Sequence, residues 1–138
     1  MRAIVAITSS LLLTGCVSID VSTEDVLCSS GLRPATTAEL FFGRNIGGRP
    51  GVSEDDWSRF VDEEVTPRFP EGLSVFDVQG QWRGEDGVTV RESSKVLMLI
   101  LTDEEADREK LDAIREAYKA RFRQEAVLLV ERPACVGS

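Results

Sequence analysis

Lys95-Val-Leu-Met-Leu-Ile-Leu101 is apolar at odd and even positions alike. A strand with one wet face alternates apolar with polar residues, whereas one apolar on both faces belongs in the middle of a sheet. The neighbours of this stretch then decide what the sheet is. Just upstream, Gly84-Glu85-Asp86-Gly87 turns the chain and Val88-Thr89-Val90 brings it back, with Glu92-Ser93-Ser94 predicting an irregular step before the central strand. Before that turn, residues 73–82 place Phe76, Val78 and Trp82 on one face and Asp77, Gln79 and Gln81 on the other. One polar face predicts an edge strand.

Downstream, Thr102 and Glu105 have capping-box spacing and open a helix in which Leu111, Ile114, Tyr118 and Phe122 recur at steps of three and four. Acidic residues lead and Lys119, Arg121 and Arg123 finish, which suits the helix dipole at both ends. Residues 126–131 form a last strand, with Pro133 and Cys135 ending it. Toward the N-terminus, residues 37–44 contain Glu-Leu-Phe-Phe-Gly-Arg and predict a first strand, followed by a loop at 45–52 carrying Gly47, Gly48, Pro50 and Gly51. Ser53 caps a helix that runs to about Val65 and stops before Pro67. Trp57, Phe60, Val61 and Val65 make its apolar stripe, and Glu64 falls inside that stripe. Either Glu64 reaches solvent or Arg68 at the stripe's end, or it marks a site where a local rule is broken.

The order strand, helix, strand, strand, helix, strand predicts an α+β fold, the ferredoxin-like split βαββαβ arrangement. It consists of an antiparallel four-stranded sheet with two helices on one face. Its first and third strands are central and its second and fourth are edges, which matches the polarity of each strand read separately. If the helices cover one face, the other still presents Val96, Met98 and Ile100, or Leu97, Leu99 and Leu101, and a patch of that size seldom stays in water. A homodimer through the open sheet face is one way to cover it. The segment preceding the first strand is another.

Composition narrows the chemistry. The 138 residues fit one domain, and the formal net charge of -8 argues against binding nucleic acid through a positive field. Histidine is absent, which removes Ser-His-Asp and Cys-His catalysis and any zinc site with a histidine ligand. No metal site and no cofactor are expected. The glycine-rich loop lacks the Gly-Lys-Ser/Thr ending of a phosphate loop, and Glu54, Asp55 and Asp56 crowd the helix mouth with negative charge. Ser94 and Lys95 are adjacent on a strand and point to opposite faces, so they do not form a nucleophile pair.

The N-terminus speaks to location. Arg2 is followed by an apolar run from Ala3 to Leu13, and Leu13-Thr14-Gly15-Cys16 resembles a bacterial lipobox. The run is shorter than the ~20 residues a membrane-spanning helix needs. The resemblance implies that residues 1–15 are a lipoprotein signal peptide and that Cys16 is lipidated, with residues 16–34 a polar tether and 35–138 the folded domain. It implies a membrane partner through the lipid anchor at Cys16. In a bacterium with two membranes, Val17 in place of Asp points to the outer membrane, facing the periplasm. With Arg2 removed, -8 less +1 leaves the mature chain at -9. Cys28 and Cys135 remain as an even pair in a compartment that permits disulfides.

Four further stretches, Glu39-Leu-Phe-Phe-Gly-Arg44, residues 64–72 with Gly80-Gln-Trp-Arg83, Glu92-Ser-Ser-Lys-Val-Leu97 and Tyr118-Lys-Ala-Arg-Phe-Arg-Gln124, together resemble a family of small bacterial exported domains of unknown function. That likeness implies a bacterial origin and a shared fold and brings no catalytic residue. The candidate binding groove comprises Arg44, Glu64, Trp82, Arg83, Glu92, Lys95 and Gln124, which lie at strand ends and strand–helix junctions. The same charges also read as solvated rims and structural ion pairs. The expected function is a cell-envelope module that binds an unidentified ligand or envelope protein without catalysis. The alternative is a small cofactor-independent enzyme, of lyase, isomerase or monooxygenase type, on a dimeric scaffold.

Overall fold

The apolar stretch at 95–101 does lie in the interior of a sheet, flanked by a strand on either side. The structure is a computed structural model and describes residues 27–83 and 86–137. In chain order the elements are β1 (Arg33–Gly43), the short hairpin β2 (Asn45–Ile46) and β3 (Arg49–Pro50), and α1 (Glu54–Phe60) continued by a π-helical turn (Val61–Val65). There follow β4 (Ser74–Arg83), β5 (Thr89–Leu101), α2 (Glu104–Phe122) and β6 (Leu128–Val136). The main sheet has the order β4-β5-β1-β6 and every pairing in it is antiparallel. This is the ferredoxin-like arrangement, with its two longest strands central.

One face of the sheet and both helices enclose the core. Ala38, Leu40 and Phe42 of β1 and Leu97, Leu99 and Leu101 of β5 meet Trp57, Phe60 and Val65 from the first helical segment. Leu111, Ile114, Tyr118 and Phe122 of α2 complete it, the four positions that the helical spacing predicted. Five aromatic rings form its centre, with Phe42 and Tyr118 centroids 4.7 Å apart and Phe60 and Tyr118 5.0 Å apart, both edge to face.

Four local expectations are corrected. First, residues 92–94 make no irregular step: β5 runs unbroken, with Glu92 opposite Gly80 and Ser93 opposite Gln79. Cross-strand partners satisfy the polar side chains there, as when Gln79 Nε2 donates to Ser93 Oγ at 3.1 Å. Second, α2 is capped one residue later than the Thr102–Glu105 spacing implied. Asp103 accepts from the Ala106 amide, and the buried Asp107 carboxylate takes the amides of both Thr102 and Asp103. A short side chain already held by Lys110 closes the box better than the exposed Glu105.

Third, Pro133 does not end the last strand. β6 continues to Val136 because it is an edge, where a missing amide donor is tolerated. Fourth, β1 begins at Arg33, so Arg33 and Pro34 pair with Val136 and Cys135 and are not part of the tether. A disulfide between Cys28 and Cys135, with Cα atoms 5.6 Å apart, fastens the chain at that point. Residues 1–15, expected to be a signal peptide, Cys16 and most of the expected tether lie outside the described residues. Among the described residues no helix is long and apolar enough to cross a membrane.

The two borders of the sheet differ. β6 carries Pro133 and is tied down by Cys135, while β4 is ten residues long without proline and is largely exposed along its length. The apolar face of β4 also points away from the helices: Phe76 pairs with Val96 and Trp82 with Val90, on the side of the sheet opposite Leu97 and Leu99. The open face therefore collects Val96, Met98 and Ile100, one of the two sets the sequence left open, together with Phe76, Val78 and Trp82.

Candidate functional site

The residues expected to form one groove are divided by the sheet. Cross-strand register puts Trp82 and Glu92 on the open face, and Lys95 and Arg83 project toward the helix side. Arg44 follows β1 at the rim, and Gln124 follows α2. Glu64 is in a separate cluster, where its carboxylate meets Arg68 at 2.9 Å and Arg121 at 3.2 Å. Its place inside the apolar stripe is thus explained by ion pairs at the π-helical turn. Ser94 and Lys95 do point to opposite faces, Ser94 opposite Gly43 and Lys95 opposite Phe42.

On the helix side, the residue the groove lacked is Glu54. Its carboxylate receives Lys95 Nζ at 2.8 Å and pairs with Arg44, whose Nε and Nη2 donate to the Val52 carbonyl at 2.9 and 2.7 Å. Lys95 also pairs with Asp77. The hydrogen bonds from Lys95 and then Arg44 hold the Glu54 carboxyl below its ordinary range. Burial pulls the Lys95 ammonium down, yet the hydrogen bonds to Asp77 and Glu54 outweigh it and leave the group above its usual value. A lysine whose side chain is only 5% exposed is therefore kept charged, and it clamps the first turn of α1 to the sheet. In sequence Glu54 is visible only as one of three acids suited to the helix dipole, and its long-range partners leave no local signal.

The end of β1 is gripped from both sides. Tyr118 Oη donates to the Gly43 carbonyl at 2.8 Å and Gln124 Nε2 to the Asn45 carbonyl at 2.7 Å. Burial pushes the Tyr118 phenol well above its normal range. We expect Tyr118→Phe to lower the unfolding free energy by about 1 kcal/mol in urea titration, the usual net worth of one such bond. From the open face, the Glu92 carboxylate accepts the Asn45 amide at 3.0 Å and the Trp82 indole N–H at 3.0 Å. Gly43 makes room for it: a Cβ there would come within 2.8 and 2.9 Å of the two carboxylate oxygens. At the far end of the same face, Gly31, Leu32, Ser74, Met98, Ile100 and Val136 border a cleft of about 930 Å³. No group of three potential metal ligands occurs among the described residues.

The chain can now be set beside known proteins. The profile of a family described as "Protein of unknown function (DUF3574)" matches residues 37–137. No curated protein matches. Among solved structures, a phage SAM lyase in complex with S-methyl-5'-thioadenosine is similar with a TM-score of 0.61 and 17% identity, over 83% of this chain and 95% of the other. The same description in the apo state gives 0.58 and 19%, over 82% and 95%. CutA from Synechococcus elongatus gives 0.47 and 12%, over 82% and 88%. The lyase structures share the fold of this chain.

Proposed function

Because this chain belongs to DUF3574, a family of unknown function, we propose that it is a lipid-anchored envelope module that binds a ligand or protein partner through the open face of its sheet, without catalysis. The observation that carries this reading is the contrast between the two sides of the sheet. The helix side is filled by packed aromatic rings, whereas the other side exposes Phe76 at 48% and Trp82 at 45%. A soluble domain that leaves such a surface uncovered has a use for it. A second copy of the chain is one partner that fits an apolar, self-complementary face. The lipobox supports anchoring at Cys16, and Val17 supports the outer membrane, with the domain in the periplasm.

Cys16→Ser tests the location. The wild type is expected to take up fatty-acid label and to sediment with membranes, and the variant to lose both; retention of both by the variant rejects the anchor. A photoreactive residue in place of Phe76, irradiated in cells, tests the face. A discrete crosslinked species supports docking, and its absence under conditions that label the membrane anchor counts against it.

One observation favours the second reading, a small cofactor-independent enzyme on a dimeric scaffold. Glu92 is a carboxylate fixed by two N–H donors on an apolar surface, which is how a proton-accepting group is positioned once a second copy encloses it. Incubation of the full chain with S-adenosylmethionine, the substrate class named for the lyase of like fold, tests that reading. Turnover abolished by Glu92→Gln would replace the binding module with an enzyme.

A further inference from the structure

The negative charge of Glu92 has no counter-charge. Its two contacts are neutral donors, the Asn45 amide and the Trp82 indole, and no ion pair reaches it among the described residues. Arg44, one residue from Asn45 in the chain, is turned to the helix side, where it serves Val52 and Glu54. Arg132, on the open face, is paired with Glu39. The surroundings of the carboxylate are built around it: Gly43 leaves the space its oxygens fill, and at Gly80, opposite Glu92, a Cβ would come within 3.1 Å of Ser94 Oγ. Beside the buried Ser94 hydroxyl the neighbours on this face are aromatic and aliphatic, with the half-exposed Trp82 next to the carboxylate and Phe76 further along the strand.

From this we infer that Glu92 and the half-exposed Trp82 beside it form a binding site for an organic cation with an apolar body, such as an alkyl- or arylammonium group. A carboxylate supplies the charge, and it is held in place by donors that do not neutralise it. A π face beside it adds attraction for the same sign of ligand, and an apolar floor rewards a ligand with little else that is polar. A sugar or other neutral polar ligand would find too few hydrogen-bonding groups here. A second copy docking on the face would bring Arg132 already engaged. The inference deepens the reading of the open face as a binding surface and rests on it.

The test uses the full-length protein in a nonionic detergent, titrated with 2-phenylethylammonium and with choline. Each is compared with its neutral analogue, 2-phenylethanol and 3,3-dimethylbutan-1-ol. The Trp82 indole N–H resonance, identified by its loss in Trp82→Phe, reports occupancy. The cations are expected to bind about tenfold more tightly than the neutral analogues. Glu92→Gln should bring that ratio to about one. Gly43→Ala keeps the carboxylate but displaces it from the space it fills beside Gly43, and should also lose most of the preference; it keeps the test decisive if Glu92→Gln folds poorly. Equal binding of charged and neutral probes, a preference that survives both variants, or no saturable shift overturns the assignment. If the cations are silent while crosslinks from position 76 persist, the cation site fails and the docking surface stands. If both are absent, both fail.

Discussion

Phe42→Ala is expected to lower the unfolding free energy by about 4 kcal/mol, within the range for a fully buried phenylalanine truncated to alanine. Phe42 has no exposed surface and its ring contacts Trp57 at 5.1 Å, Phe60 at 5.9 Å and Tyr118 at 4.7 Å. These rings come from the two helices, and none can move into the vacated space without breaking its own edge-to-face contacts. The cavity term therefore adds to the lost transfer term. Domains of this size have total stabilities of about 5–15 kcal/mol, so the variant should sit near the edge of unfolding at room temperature. Urea titration followed by far-UV circular dichroism measures this as a lower midpoint with an unchanged slope. The control is Phe76→Ala on the open face, which is 48% exposed and should change the midpoint little. Equal effects at the two positions would mean that the core is not where the fold places it.

The second large effect is expected at the two cysteines. Removing the Cys28–Cys135 bridge by Cys28→Ser with Cys135→Ser frees a loop with a sequence separation of 107 residues. In the chain-entropy view that costs about 4.7 kcal/mol, because the unfolded chain regains the freedom the crosslink denied it. The loss should show as a lower melting temperature in the double variant, and reducing agent should lower the wild type to a similar value. The outermost pairs of the sheet, Arg33 with Val136 and Pro34 with Cys135, should be the first to lose protection from hydrogen exchange. Reducing agent without effect on either property would show that the thiols are free in the protein.

Much of the fold was legible because its signals are local. Helical spacing in Leu111, Ile114, Tyr118 and Phe122 needs only the sequence to be read, and the two-sided apolar run at 95–101 names the central strand. The even pair of cysteines anticipated the bridge that forms. What failed was local structure decided at a distance. Glu92-Ser93-Ser94 looks irregular until Gly80 and Gly43 are seen across from it, and Pro133 looks like a terminator until its strand proves to be an edge.

The site was harder for the same reason. Trp82, Glu92, Lys95 and Arg44 were singled out by residue type, but nothing in one dimension tells which side of the sheet each takes. Register alone separates Glu92 from Lys95. Glu54, which links Lys95 to Arg44, stands out in the sequence only as one of three acids at the helix mouth, because its contacts lie 41 and 10 residues away.

The unequal borders of the sheet bear on how this protein would behave when concentrated at a surface. A fellow molecule can extend the hydrogen-bonded ladder along all of β4, whereas at the opposite margin Pro133 lacks a donor and Cys135 is bridged. Two molecules joined β4 to β4 would each turn their blocked side outward. Such a pair uses up the more receptive border of both molecules, which favours discrete couples over open chains of molecules.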